Sequence, residues 1–153
     1  MADVFSLPSA SPISLEEAVA KFDERLDPDV PNCSMAVADV LAGLAANKAF
    51  LVDYIIDSFR SGIEAYQAGN TYTDHTLTIH FASKYHLRVN VWAPSANFGG
   101  GSRVVDELHA YHIAHNHNFH FLTVGFFGAG YRTHIATFDP TRIEGDPIGQ
   151  KAH

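Results

Sequence analysis

Cysteine is almost missing from this sequence: Cys33 stands alone in 153 residues. A lone thiol closes no internal disulfide and lacks the paired spacing of a zinc knuckle, so a reducing compartment is expected. Basic residues are also few, ten Lys and Arg against seventeen Asp and Glu, for a formal net charge of −7. That scatter excludes nonspecific binding to nucleic acid, which needs clustered cations. No apolar run approaches the roughly 20 residues of a membrane-spanning helix. The first twenty residues carry Asp3, Glu16 and Glu17 but no basic region or long apolar stretch, so a targeting peptide is not expected either. The chain therefore reads as cytoplasmic, with no membrane partner. Only 18% of residues are charged and 46% are hydrophobic, enough for one packed, co-folded unit rather than two independent domains.

The N-terminal half has a helical period. Residues 1–13, with Pro8 and Pro12, form a loose lead-in. Ser14 followed three residues later by Glu17 makes a capping box, and Leu15, Ala18, Val19, Phe22 and Leu26 recur at helical spacing, which predicts a helix from about Leu15 to Leu26. Pro28 and Pro31 end it. Helical spacing returns from Ser34 to Gln67, with Val37, Val40, Leu41 and Leu44 on one stripe and Leu51, Ile55, Phe59 and Tyr66 on another, Asn47 dividing the two and Gly69 with Asn70 supplying the stop.

After Asn70 the period becomes two. His75, Leu77, Ile79 and Phe81 alternate with Thr76, Thr78 and His80, and Leu87, Val89 and Val91 alternate with Arg88 and Asn90 before Pro94. These two strands predict an antiparallel pair. Gly99, Gly100 and Gly101 read as a connector, since no helix start or P-loop lysine follows. Two further strands are expected at about Ala110 to Phe126 and Tyr131 to Phe138, joined by the turn Phe127 to Gly130. The fold class is thus α+β: a helical region over 1–69 packed on an antiparallel sheet or partial barrel over 70–153.

Histidine is the residue in excess. Six of the ten, His109, His112, His115, His117, His120 and His134, fall within 26 residues. On a strand, His115 and His117 project side by side with Ile113, Phe119 and Phe121, and a divalent metal would satisfy two imidazoles on an apolar face at once. Core histidines bonded to carbonyls or to Asp and Tyr side chains are the bland reading of the same pair. His75 and His134 are further candidate ligands; His112 and His120 fall on the opposite, polar face. Cys33 at a helix start has no histidine brought to it by sequence. The run His115 to His120 departs from the binuclear hydrolase pattern HxHxDH at Phe119, and neither Asp106 nor Glu107 is aligned as a base for zinc-bound water.

The stretch HNHNFHFLTVGFFGAGYRT from His115 to Thr133, with LRVNVWAP from Leu87 to Pro94, resembles a group of bacterial cupin-like proteins over about residues 70–140. The resemblance implies a small antiparallel barrel whose first motif supplies HxH, matched by His115 and His117, then a glutamate, for which Phe121 and Leu122 stand instead, and a last histidine from a second motif. Only fourteen residues follow Asp139, so a second subunit is expected to complete the barrel as a homodimer. Fe(II) is the metal best matched to open-site oxygen chemistry; imidazole also suits Zn, Ni, Cu and Mn. The leading expectation is an iron-dependent cupin-like oxygenase, or related metalloenzyme, acting on a small organic molecule that Tyr131 and Arg132 orient. Its rival is a noncatalytic metal- or ligand-binding domain that assembles as an oligomer.

Overall fold

The structure is a computed structural model that describes residues 4, 6–7, 9–62, 75–92, 115, 117, 119–130, 132–137, 139 and 141. The chain divides into two compact units, one of Asp3–Val91 with His120–Gly130, the other of Met1–Ala2, Trp92–Phe119 and Tyr131–His153. The boundary expected at residues 69 and 70, the glycines at 99–101 and the second-motif region all lie outside the described residues, as do His109, His112, Asp106, Glu107 and Tyr131.

In the first unit, α1 runs Leu15–Arg25, and Ser14 caps it by accepting the Glu17 amide at 3.1 Å, the serine half of the expected capping box. Glu17 also holds Lys21 at 2.7 Å, one turn on. The helix buries Ala18 and Phe22 and ends where the Leu26 amide bonds the Phe22 carbonyl. Asn32, at φ 59°, then turns the chain through the left-handed region into a 3-10 turn over Cys33–Val37. Helix α2 follows at Ala38–Ala46, later than the Ser34 start expected, because the first turn is wound in the tighter form.

Asn47 divides α2 from α3 (Phe50–Ser61) by using both ends of its amide: Nδ2 donates to the Ile13 carbonyl at 3.0 Å and Oδ1 accepts the Ala49 amide at 3.2 Å. The lead-in segment reaches α2 closely as well, the Ile13 amide bonding the Gly43 carbonyl at 3.2 Å. A Cβ on Gly43 would stand 3.2 Å from the Ser11 carbonyl oxygen and 3.3 Å from the Ile13 side chain, so a larger residue would push that segment outward. Two expectations for α3 are corrected. The helix ends at Ser61, where Gly62 takes φ 109°, which no helix admits; residues 63–67 of the expected span lie outside the described residues. Phe59, expected on the inner stripe, is 53% exposed; the inward face is carried by Phe50, Leu51, Tyr54, Ile55 and Ser58.

Strands β1 (Thr76–Phe81) and β2 (His86–Asn90) pair antiparallel, with Thr76 opposite Asn90 and Leu77 opposite Val89. The turn between them closes with the Ala82 amide on the Tyr85 carbonyl. A bulge between Thr78 and His80 shifts the register. It explains a correction to the expected alternation: Ile79 is buried but Phe81 is 75% exposed, since one extra residue reverses which face each later side chain meets.

The core is built from Ala18, Phe22, Val37, Val40, Leu44 and Phe50, and Tyr85, Leu87, Val89, Leu122 and Phe126 pack against it. Helices on an antiparallel pair make the protein α+β. Tyr54 ties the layers by donating its hydroxyl to the Thr78 carbonyl at 2.7 Å. Among the described residues no single helix is long and apolar enough to cross a membrane.

The strands expected over Ala110 to Phe126 and Tyr131 to Phe138 are absent from their described parts, residues 115, 117, 119–126 and 132–137. Residues 120–130 instead dock irregularly. Leu122 and Phe126, four apart, are the inward anchors, while Phe121, Val124 and Phe127 are exposed, a spacing that the period of two does not fit. Phe126 meets the Phe50 ring at 5.2 Å, and Lys48 donates to the Phe126 carbonyl at 2.7 Å with its ammonium 4.5 Å from the Phe126 ring centre. Gly128 and Gly130 both take φ 76° beside a bend over 127–129, without the flanking strands that a hairpin turn would join.

Candidate metal centre

His115 and His117 belong to the second unit. Both are exposed and neither lies in a strand, which corrects the expectation that they turn together into an apolar interior: parity assigns an inner face only where a sheet supplies one. The structure nevertheless brings the two rings together, with centroids 4.9 Å apart and planes at 86°. Phe119 continues the row, its ring 5.0 Å from that of His117. Three side chains two residues apart thus stand side by side, as they do along any extended backbone.

The spacing can be tested against coordination geometry. With metal–nitrogen bonds of about 2.0–2.1 Å, imidazoles sharing one ion have ring centres about 4.5 Å apart at a right angle and about 5.2 Å apart at the tetrahedral angle. The observed 4.9 Å falls between the two, and also within the range of about 4.5–7 Å of ordinary edge-on ring contacts. As neutral rings both residues are good ligands for Fe(II), Zn, Ni or Cu ions. Among the described residues no group of three His, Cys, Asp or Glu side chains is assembled for a metal.

The other sequence candidates stand apart from a formed site. His134 and Arg132 are exposed in the second unit. His75 belongs to the first unit, half-buried at the head of β1, where its carbonyl accepts the Val91 amide at 2.8 Å. Cys33 is half-buried in the 3-10 turn. His86, on β2, bonds the Thr78 hydroxyl through Nε2 at 3.3 Å; burial, with Arg88 nearby, pushes its pKa down, which favours the neutral ring.

Sequence reasoning missed a cleft of about 740 Å³ in the first unit, between the start of α1, α3 and β1. Asp53 and Asp57, one helical turn apart, line it with Tyr54 and His80, and Asp57 holds Arg60 at 3.1 Å. The only signal for it in the sequence is the i, i+4 pair of carboxylates on α3. No family model, no curated protein and no solved structure matches the chain.

Proposed function

We propose that this protein binds a divalent metal ion through His115 and His117. The observation that carries the reading is the 4.9 Å separation of the two rings, which suits two imidazoles on one ion. Exposure of both rings favours a binding role over turnover, because metal-assisted chemistry uses a dry, shaped cavity around the ion. The noncatalytic metal-binding domain is therefore the form of the proposal that the geometry supports best.

An iron-dependent, cupin-like oxygenase acting on a small organic molecule is the second reading, favoured by the two-imidazole donor set, which leaves several positions on Fe(II) open. In that reading Tyr131 and Arg132 orient the substrate, His134, in the same unit as the pair, adds a ligand, and a homodimer completes the barrel. A reducing, cytoplasmic setting suits either reading, given the lone Cys33.

Equilibrium dialysis against Zn(II), and against Fe(II) without oxygen, followed by elemental analysis, tests the proposal. Stoichiometric metal in the wild type, lost in His115→Ala and His117→Ala, is the expected result. A folded wild type that retains no metal would overturn it.

A further inference from the structure

Two imidazoles fill half of a tetrahedral ion's coordination, and their position decides what can fill the other half. Both rings are exposed, so a second macromolecule can approach them without displacing core residues. A second copy of this chain, turned by a two-fold axis, presents the same two donors in the same geometry, because a two-fold contact joins one patch to itself. Four imidazoles then surround a single ion. Phe119, 51% exposed and 5.0 Å from the His117 ring, extends the row with apolar surface that such a contact would bury. Each copy has a formal net charge of −7, which opposes association of metal-free chains and so makes the contact depend on the bound cation.

We infer that His115 and His117 form half of a metal-bridged homodimer contact, in which one ion is shared by two chains. This rests on the metal-binding reading above and adds to it a partner and a stoichiometry. It also fixes the chemistry by metal: four imidazoles close a tetrahedral Zn(II) site, whereas six-coordinate Fe(II) would keep two open positions.

The test is sedimentation equilibrium of the full chain with and without Zn(II), with bound metal measured on the same samples. The expected result is a metal-free monomer that becomes a dimer holding one ion per two chains and returns to monomer on adding a chelator. His115→Ala and His117→Ala, both at exposed positions, should keep the wild-type circular dichroism spectrum and stay monomeric at all Zn(II) concentrations. One ion per monomer without association overturns the shared site but leaves the metal-binding reading standing. A dimer that ignores both metal and chelator likewise overturns the bridge. A wild type that binds no metal removes the reading beneath it.

Discussion

The ring of Tyr85 packs against that of Phe22 with centroids 5.3 Å apart, joining the sheet turn to the buried face of α1. The contact takes the phenol out of water. Its hydroxyl is buried beside the Asp23 carboxylate without reaching the geometry of a full hydrogen bond. Burial, with the Asp23 carboxylate close by, pushes the Tyr85 pKa up to about 12.

Tyr85→Phe keeps the ring contact and removes the unsatisfied hydroxyl, so it should stabilise the protein by about 1 kcal/mol, measured by urea unfolding at pH 7. The pH dependence has a definite sign. An unfolded tyrosine ionises near pH 10, so between about 10 and 12 the unfolded chain holds fewer protons. The wild type should lose stability relative to Tyr85→Phe as pH rises through that window, with the two curves parallel below it. Parallel curves up to pH 12 would contradict the burial of this hydroxyl.

Arg25 and Asp39 make a two-pronged ion pair, at 2.8 and 3.0 Å, from the last turn of α1 to the first turn of α2. The Arg25 guanidinium pulls the Asp39 carboxyl below its usual range. The contribution is therefore present above the unfolded-state value near pH 4 and lost as pH falls through the lower folded value. The side chains are 36% and 58% exposed, so a double-mutant cycle with Arg25→Ala and Asp39→Ala should give only about 0.5–1 kcal/mol at pH 7. It should give less in 1 M salt, and nothing well below pH 4.

Asn47→Ala removes the donor to Ile13 and the acceptor for Ala49 together. A cost of about 1–2 kcal/mol is expected from the lost turn bond to the Ala49 amide and the part-buried Ile13 carbonyl left unpaired. Hydrogen exchange should quicken at Ala49 and in the 11–14 segment before it does in α1. Uniform quickening instead would mean that Asn47 has no local role at this corner.

Lys48→Met retains an aliphatic stem against Phe126 but loses the ammonium that bonds the Phe126 carbonyl and faces both aromatic rings. Because the bond is exposed, about 1 kcal/mol is expected, and it should appear locally. Limited proteolysis within 120–130 should accelerate several-fold, while the thermal midpoint moves by only a few degrees. An unchanged cleavage rate would show that Leu122 and Phe126 hold the segment without help.

Much of the first unit was legible because its signals are local. Ser14 and Glu17 fix the start of α1 within one turn, Asn47 stops one helix and admits the next, and the alternation from Thr76 to Asn90 is satisfied by two strands adjacent in the chain. Phe59 and Phe81 were misassigned for reasons outside their own neighbourhoods. The inner face of α3 is chosen by what packs on it, and a bulge near Ile79 reverses the parity after it. The segment 120–126 reads as the end of a strand but has anchors four residues apart, and the hold of Lys48 and Phe50 on Phe126 spans more than seventy residues. No window of sequence contains both ends of that contact.

By itself, the sequence determined the helices of the N-terminal half, the alternating pair over 76–90, the capping and breaking points, and the closeness of His115 to His117. Each of these depends on residues within a few positions of one another, where backbone sterics and side-chain spacing suffice. Tertiary structure decided which faces are covered: it exposed the histidine pair, buried the hydroxyl of Tyr85 and turned a would-be strand into a docked segment. Burial is a property of distant partners, and the free energy of removing a side chain from water is known only when those partners have arrived.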